Sequence, residues 1–326
     1  MSKRLLGVLK ILISILLAGV LLYLVFKNID WLEFWEKAQT VDLSWVFASV
    51  AVSLIAFFAR AYRWNILLEP LGYNLKTGRT TVAVIIGYLA NLAIPRLGEV
   101  SRCGVLNRND NVNFTHGFGS VVAERILDLI TLILIIFVSL ALEYERITSF
   151  LSEAYADFDL SVYFIYLIIG FMILGFGGLI YIVGKRDSFN GKFADLIKSF
   201  VDGLLSLRKV KNVRGFILST IVIWIVYFVM TYIVFFAVPE TSELGIGAGF
   251  MLLVTGGIAL SIPVQSGFGT YHGMVAGMLL LYEIDKTTGL FFATLLHTSQ
   301  IVSIAIFGTI ALIISALLRK RQIKSA

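Results

Sequence analysis

The sequence predicts an all-α polytopic membrane protein, with six full spans plus two re-entrant helix pairs arranged as an inverted-topology repeat. Three observations carry this expectation. Hydrophobic residues make up 58% of the 326 and charged residues 15%, with a mean hydropathy of +0.90. Soluble domains are nearer half apolar and a quarter charged. Several runs approach 20 apolar residues, enough to cross about 30 Å of hydrocarbon as helix, and they lack the alternation of barrel strands. Two further runs are interrupted at prolines, Pro95 and Pro263, in a chain that has four prolines in all.

The elements follow in order. Residues 5–26 form a first span, too long for a signal-peptide core and lacking a small-residue cleavage site, so it is expected to be retained. An acidic, aromatic loop 27–43 carries Trp31 and Trp35, which with Trp45 suit interface anchors. Residues 44–68 form a second span ending in Arg60, Arg63 and Trp64. The run 81–94 covers only about 21 Å as helix, short of the hydrocarbon thickness. Pro95 then breaks it, and the stretch to Asn107 is basic. Residues 81–107 therefore read as a re-entrant pair, which survives at membrane depth only where protein or water covers the irregular backbone. Span three is 118–142 and span four 162–183, with an acidic loop 143–160 between them. The loop 184–214 is the most basic part of the chain, and 193–207 within it suits a surface amphipathic helix. Span five is 216–238. Residues 246–262 and 268–282 flank the second break, and span six is 290–318.

Charge orients this arrangement. With the N-terminus inside and both broken pairs returning to their own side, 22 of the 27 Lys and Arg fall inside and four outside. That follows the positive-inside rule and puts both termini in the cytoplasm. The halves 1–160 and 161–326 then have opposite orientations within one transmembrane domain. Leu92-Ala93-Ile94-Pro95 is echoed by Leu260-Ser261-Ile262-Pro263. Broken hydrophobic segments at corresponding points of two halves point to a transporter's substrate site. Pro95 and Gly98 on one side, and Pro263, Gly267 and Gly269 on the other, are the expected breaks.

Candidate site residues cluster near those breaks. Arg96, Glu99 and Arg102 recur at i, i+3 and i+6, so a half-helix would carry them on one face. Guanidinium binds oxyanions bidentately, which suits a phosphate or carboxylate headgroup, while the plainer reading is a snorkelling cytoplasmic edge. Glu124, Arg125 and Asp128 begin the third span, and ionisable residues inside a membrane are costly. Either Arg125 and Asp128 pair structurally, or Glu124 neutralises an arginine of the first hairpin. Arg60 and Arg63 fit a headgroup role or an ordinary span end. Gln265, Ser266, Thr270, Tyr271 and His272 add polar groups and glycine-freed amides that can hold an anion, or simply mark a tight turn of small residues. His272 and His297 are as well explained by packing as by proton transfer.

Other classes lose ground. The net charge of +6 suits basic loops against anionic phospholipid rather than nucleic acid. The single cysteine, Cys103, excludes an intrachain disulfide or a cysteine metal cluster, and His116, His272 and His297 have no metal-ligand spacing. No hydrolase or metalloprotease motif occurs. No metal, no cofactor and no enzymatic activity are expected.

At Ala59-Arg60-Ala61-Tyr62-Arg63-Trp64, Asn91-Leu92-Ala93-Ile94-Pro95-Arg96-Leu97-Gly98-Glu99, Ala123-Glu124-Arg125-Ile126-Leu127-Asp128 and the Ile262-Pro263 motif with Gly267 and Gly269, the chain resembles the lysylphosphatidylglycerol synthase transmembrane region family, also called flippase-like. The resemblance spans nearly the whole chain. In the bifunctional members this region flips an aminoacylated phospholipid that a separate cytosolic domain makes. No such domain follows here, so the resemblance implies a stand-alone inner-membrane translocator. Its cargo would be a phospholipid or polyprenyl-phosphate-type lipid, aminoacylated or glycosylated, with a lipid-modifying synthase as a possible partner. With Arg96 and Arg102 expected to bind the headgroup phosphate, replacing Arg96 or Glu99 by alanine is expected to abolish transport while leaving expression intact. The rival expectations are a membrane enzyme or accessory subunit in polyprenyl-phosphate glycolipid synthesis, and a scaffold for a partner synthase.

Overall fold

Helix α1 (Lys3–Phe26) is apolar from Leu12 onward and stops at a short turn. Helix α2 (Trp31–Thr40) leaves that turn at 92°, started by Asp30, whose carboxylate accepts from the amides of Leu32 and Glu33. An Asp followed three residues later by Glu is a helix-start signal, which explains why the expected loop 27–43 contains a helix. Trp31 and Trp35 stay exposed on it, as interface anchors do. The computed structural model describes residues 3–154, 170, 210–262 and 264–325. The fourth span 162–183, the amphipathic stretch 193–207 and Pro263 lie outside the described residues.

Helix α3 (Leu43–Leu68) is capped by Asp42 through the Ser44 amide at 2.9 Å. A single 3-10 turn (Glu69–Leu71) containing Pro70 ends it, and Gly72, at φ +90°, turns the chain. Helix α4 (Thr77–Ala93) and helix α5 (Leu97–Asp110) fold back on each other across the Pro95 break. The connection needs Arg96 in the left-handed region at φ 63°. Gly87 and Gly98 face each other where the two backbones approach, and a side-chain carbon on Gly98 would run into the Gly87 carbonyl. Small residues matter at such a crossing because lipid supplies little hydrophobic drive between helices.

Helix α6 (Phe114–Leu142) begins four residues earlier than expected, because the Asn113 side chain accepts from Thr115 and His116. Helix α7 (Tyr144–Ala154) occupies much of the expected acidic loop 143–160. Helix α8 (Val213–Tyr232), capped by Asn212, tightens into a 3-10 segment (Ile233–Ala237). Helix α9 (Ile246–Ser261), a 3-10 turn (Gln265–Gly267) and helix α10 (Thr270–Leu280) form the second broken pair, close to its expected bounds. Helix α11 (Lys286–Ser325) closes the chain.

Every regular element among the described residues is helical. Among the described residues, four stretches are long and apolar enough to cross a membrane, Leu43–Leu71, Phe114–Leu142, Val213–Ala237 and Lys286–Leu318, with the bent pair Leu12–Phe26 and Trp31–Thr40 making a fifth if it counts as one span. Helix α3 packs along α8 and α4, while α11 packs along α4 and α10. One core gathers Phe235, Leu252, Leu279, Phe292 and Leu296 around the second pair. Another gathers Trp64, Leu68, Ala83, Leu106 and Val121 around the first. Trp64 sits in this second core with Arg63 beside it, fully buried.

Candidate functional site

Charge is concentrated where α3, α5 and α6 meet. Two helical turns of α6 carry Glu124 and Asp128, four residues apart, so both carboxylates face the same neighbours. Arg60 and Arg63 on α3 are three apart and present two guanidiniums to them. Arg102 arrives from α5. Arg60 Nη2 bonds Glu124 Oε1 and also reaches Asp128 Oδ2 at 3.2 Å. Arg63 Nη2 donates to Asp128 Oδ1 at 2.6 Å and to Glu124 Oε1 at 3.4 Å. Arg102 Nη1 donates to Glu124 Oε2 at 2.9 Å. Glu124 is 0% exposed and takes all three arginines. The expectation that Glu124 neutralises an arginine of the first hairpin thus has a direct counterpart in the Arg102 bond.

Neutral groups hold the cations in place. Tyr227 on α8 accepts from Arg60 Nη1 at 2.9 Å and lies 3.1 Å from the Tyr88 hydroxyl on α4. The Arg102 guanidinium stacks over Trp64 at 4.6 Å, and Trp64 is itself fixed by its indole bond to Ser120 at 2.8 Å. Thr220 on α8 lies 3.4 Å from Arg63. Tyr88, Tyr227 and Thr220 were not singled out in the sequence, since one hydroxyl in an apolar run carries no charge signal. Trp64 stood out as a span end and resemblance motif rather than as a cation shelf.

The balance of the cluster is unequal. Three buried guanidiniums face two carboxylates, leaving one net positive charge. Arg60 Nε, Arg63 Nε, Arg102 Nε and Arg102 Nη2 are buried donors without a hydrogen-bond partner. Buried donors left unpaired cost about 1–3 kcal/mol each, more when charged. An oxyanion would satisfy both the charge and the donors.

Outside this knot sits a second pair. Arg125 Nε lies 3.4 Å from Glu99 Oε1, with Arg125 also 3.8 Å from Asp128. So the pairing of Arg125 with Asp128 is present but long. Arg96 is exposed at the α5 N-terminus and does not join the cluster, although Glu99 and Arg102 do approach it. The positive φ of Arg96 turns its side chain out of the face that Glu99 and Arg102 share.

The second break reaches the first. Gln265 Nε2 donates to the carbonyls of Leu92 and Ala93 at 2.6 and 2.8 Å, and Ser266 Oγ donates to Leu92 at 3.1 Å. These carbonyls end α4, where a helix leaves its last acceptors unpaired. Gln265 and Ser266 therefore cap the first hairpin from the second. Gly267 and Gly269 adopt φ of 73° and 81°, and Gly269 presses against Leu21 and Leu22 of α1. Tyr271 and His272 are buried away from the arginines. Tyr271 stacks on His297 at 4.6 Å, and His272 meets the same ring edge-on at 5.1 Å. The described residues contain no grouping of three or more His, Cys, Asp or Glu suited to a metal ion, and Cys103 is buried and free.

The fold and the cluster define a polytopic helical membrane protein with a buried, net-cationic knot beside two broken helix pairs. The chain matches the lysylphosphatidylglycerol synthase TM region family over residues 9–308 and belongs to that family. It is similar to the glycosyltransferase AglD of Haloferax volcanii, with 31% identity over 120 residues, covering 36% of this chain and 19% of AglD. It is also similar to the UPF0104 membrane protein MJ1078 of Methanocaldococcus jannaschii, with 25% identity over 224 residues, covering 68% of this chain and 92% of that protein. No solved structure matches the chain.

Proposed function

We propose that the chain is a lipid translocase of the inner membrane, carrying a phospholipid or polyprenyl-phosphate-type lipid between leaflets without altering it chemically. The observation that carries this reading is the buried excess guanidinium at the root of a broken hairpin. A charge at such a place is expensive and, in a membrane, by default functional. In this reading Arg60, Arg63 and Arg102 receive the headgroup phosphate, while Glu124 and Asp128 keep the arginines poised when it leaves. The two helix pairs enter the bilayer from opposite faces as an inverted repeat, with both termini cytoplasmic. Their junction through Gln265 lets one gate sense the other. Family membership supports a role in lipid or glycolipid biosynthesis.

A dithionite-quenching assay in proteoliposomes containing fluorescent phospholipid tests this. Wild type should expose inner-leaflet lipid, and Arg102→Gln should reduce that exposure to the level of empty vesicles while remaining monodisperse. Equal rates in both would sink the site assignment. The alternative is a membrane enzyme or accessory subunit in polyprenyl-phosphate glycolipid synthesis, favoured by the similarity to a protein named as a glycosyltransferase. A chemically changed lipid in the mass spectrum after incubation with sugar donor would support it.

A further inference from the structure

A cleft of about 260 Å³ opens along α6. Its walls are apolar, including Phe118, Val122, Ile126 and Leu129, and its charged rim is Glu99 and Arg125. Phe118 and Leu129 are exposed, so the cleft faces outward from the helix bundle. A second, narrow crevice of about 10 Å³ lies on the inner side of the same two charges, where Arg60, Tyr88 and Arg102 contribute to its lining. Ten cubic ångströms is room for about one water, far below a phosphate. Glu99 and Arg125 thus belong to both spaces and stand between them. Their side chains are 22% and 45% exposed, and one contact of 3.4 Å joins them, so they are the part of the charged network best able to separate. Glu99 Oε2 is buried with no partner, and Arg102 Nε and Nη2 behind it are unpartnered too.

We propose that Glu99 and Arg125 form the gate of a lateral lipid portal, and that the portal selects lipids with one net negative charge on a phosphodiester headgroup. The inference rests on the translocase reading and names its substrate class and route. The lipid chain lies in the apolar cleft. The phosphodiester meets Arg125 first and displaces Glu99 from it, since both are oxyanions competing for the same donors. With Glu99 turned away, the crevice widens toward Arg60 and Arg102, where one negative charge cancels the excess of the knot. A headgroup carrying an added cation would bring a further positive charge to a site already in excess, and is disfavoured.

The test is photo-crosslinking in vesicles of equal phosphatidylglycerol and phosphatidylcholine, with p-benzoylphenylalanine at Leu129. The same probe at Leu312, an exposed position on α11, is the control. One charge near a membrane-facing site gives about a fivefold preference, so phosphatidylglycerol adducts at Leu129 should exceed those at Leu312 by about that factor. Glu99→Gln should raise the preference by removing the competing carboxylate, and Arg125→Gln should lower it. Equal lipid ratios at the two probes would overturn the portal. A preference untouched by both substitutions would overturn the gate. Dithionite assays on the same vesicles separate the two readings. Transport without preference keeps the translocase and removes the portal, whereas preference without transport keeps the portal and removes the translocase.

Discussion

Glu124→Gln is the sharpest test of the charged knot. In the native protein Glu124 Oε1 takes Arg60 and Arg63, and Oε2 takes Arg102 at 2.9 Å. Glutamine keeps one acceptor and turns the other position into a donor facing an arginine. Three buried guanidiniums would then face Asp128 alone, raising the net excess from one charge to two. Removing one partner of a buried ion pair costs about 3–5 kcal/mol. For a chain of this size, that corresponds to an apparent Tm about 4–7 °C lower in detergent. The second half of the test is Glu124→Gln combined with Arg102→Met. The double variant returns the excess to one charge, and methionine keeps an apolar, polarisable group over Trp64. If charge excess governs the loss, the double variant recovers about 1–3 kcal/mol relative to Glu124→Gln, as coupled neighbours do. Thermal melts monitored by size-exclusion chromatography read this directly. A double variant no more stable than the single would refute the reasoning and assign the cost to packing.

Gly98→Ala should splay the first hairpin, because the new methyl meets the Gly87 carbonyl and the Asn91 amide, and overpacking of this kind costs about 1–3 kcal/mol or more; loss of monodisperse protein would register it. Gln265→Ala removes donors from the carbonyls of Leu92 and Ala93, so a destabilisation of about 1–3 kcal/mol is expected, read as a lower melting temperature. Arg96→Gly should leave fold and transport nearly intact, since glycine suits φ 63° and Arg96 stands outside the knot; loss of dithionite-detected transport would return Arg96 to the site. At the connection between α2 and the turn Pro239–Thr241, burial works to raise the Glu240 carboxyl, but the hydrogen bond and charge of Lys37 at 2.5 Å bring it below its ordinary value. That contribution is present above about pH 4.5 and is lost as the carboxylate protonates below it, so the fall in melting temperature on acidification should be shallower in Glu240→Gln.

The sequence marked both hairpins because proline and glycine act locally. Pro95 ends α4 whatever surrounds it, and the apolar run before it is too short to cross. Glu124, Asp128, Arg60 and Arg63 were equally legible, because an ionisable residue in an apolar run must find a partner. Which partner it finds depends on how α3, α5 and α6 pack, and helical spacing alone says nothing about that. Arg96 shows the limit. Spacing of three and six places it with Glu99 and Arg102, but only if all three lie within the helix. Arg96 is instead the residue that makes the turn, so its left-handed backbone takes it off the shared face. Gln265 shows the same limit from the other side. Its residue type fits a headgroup donor, yet the nearest acceptors are the unpaired carbonyls that end α4, and a helix end inside a bundle needs such donors. The two breaks therefore meet, with the turn Gln265–Gly267 set against the end of α4. Interrupting α4 exposes its last carbonyls, and Gln265 and Ser266 of the second break satisfy them, so the second break stabilises the irregular backbone of the first.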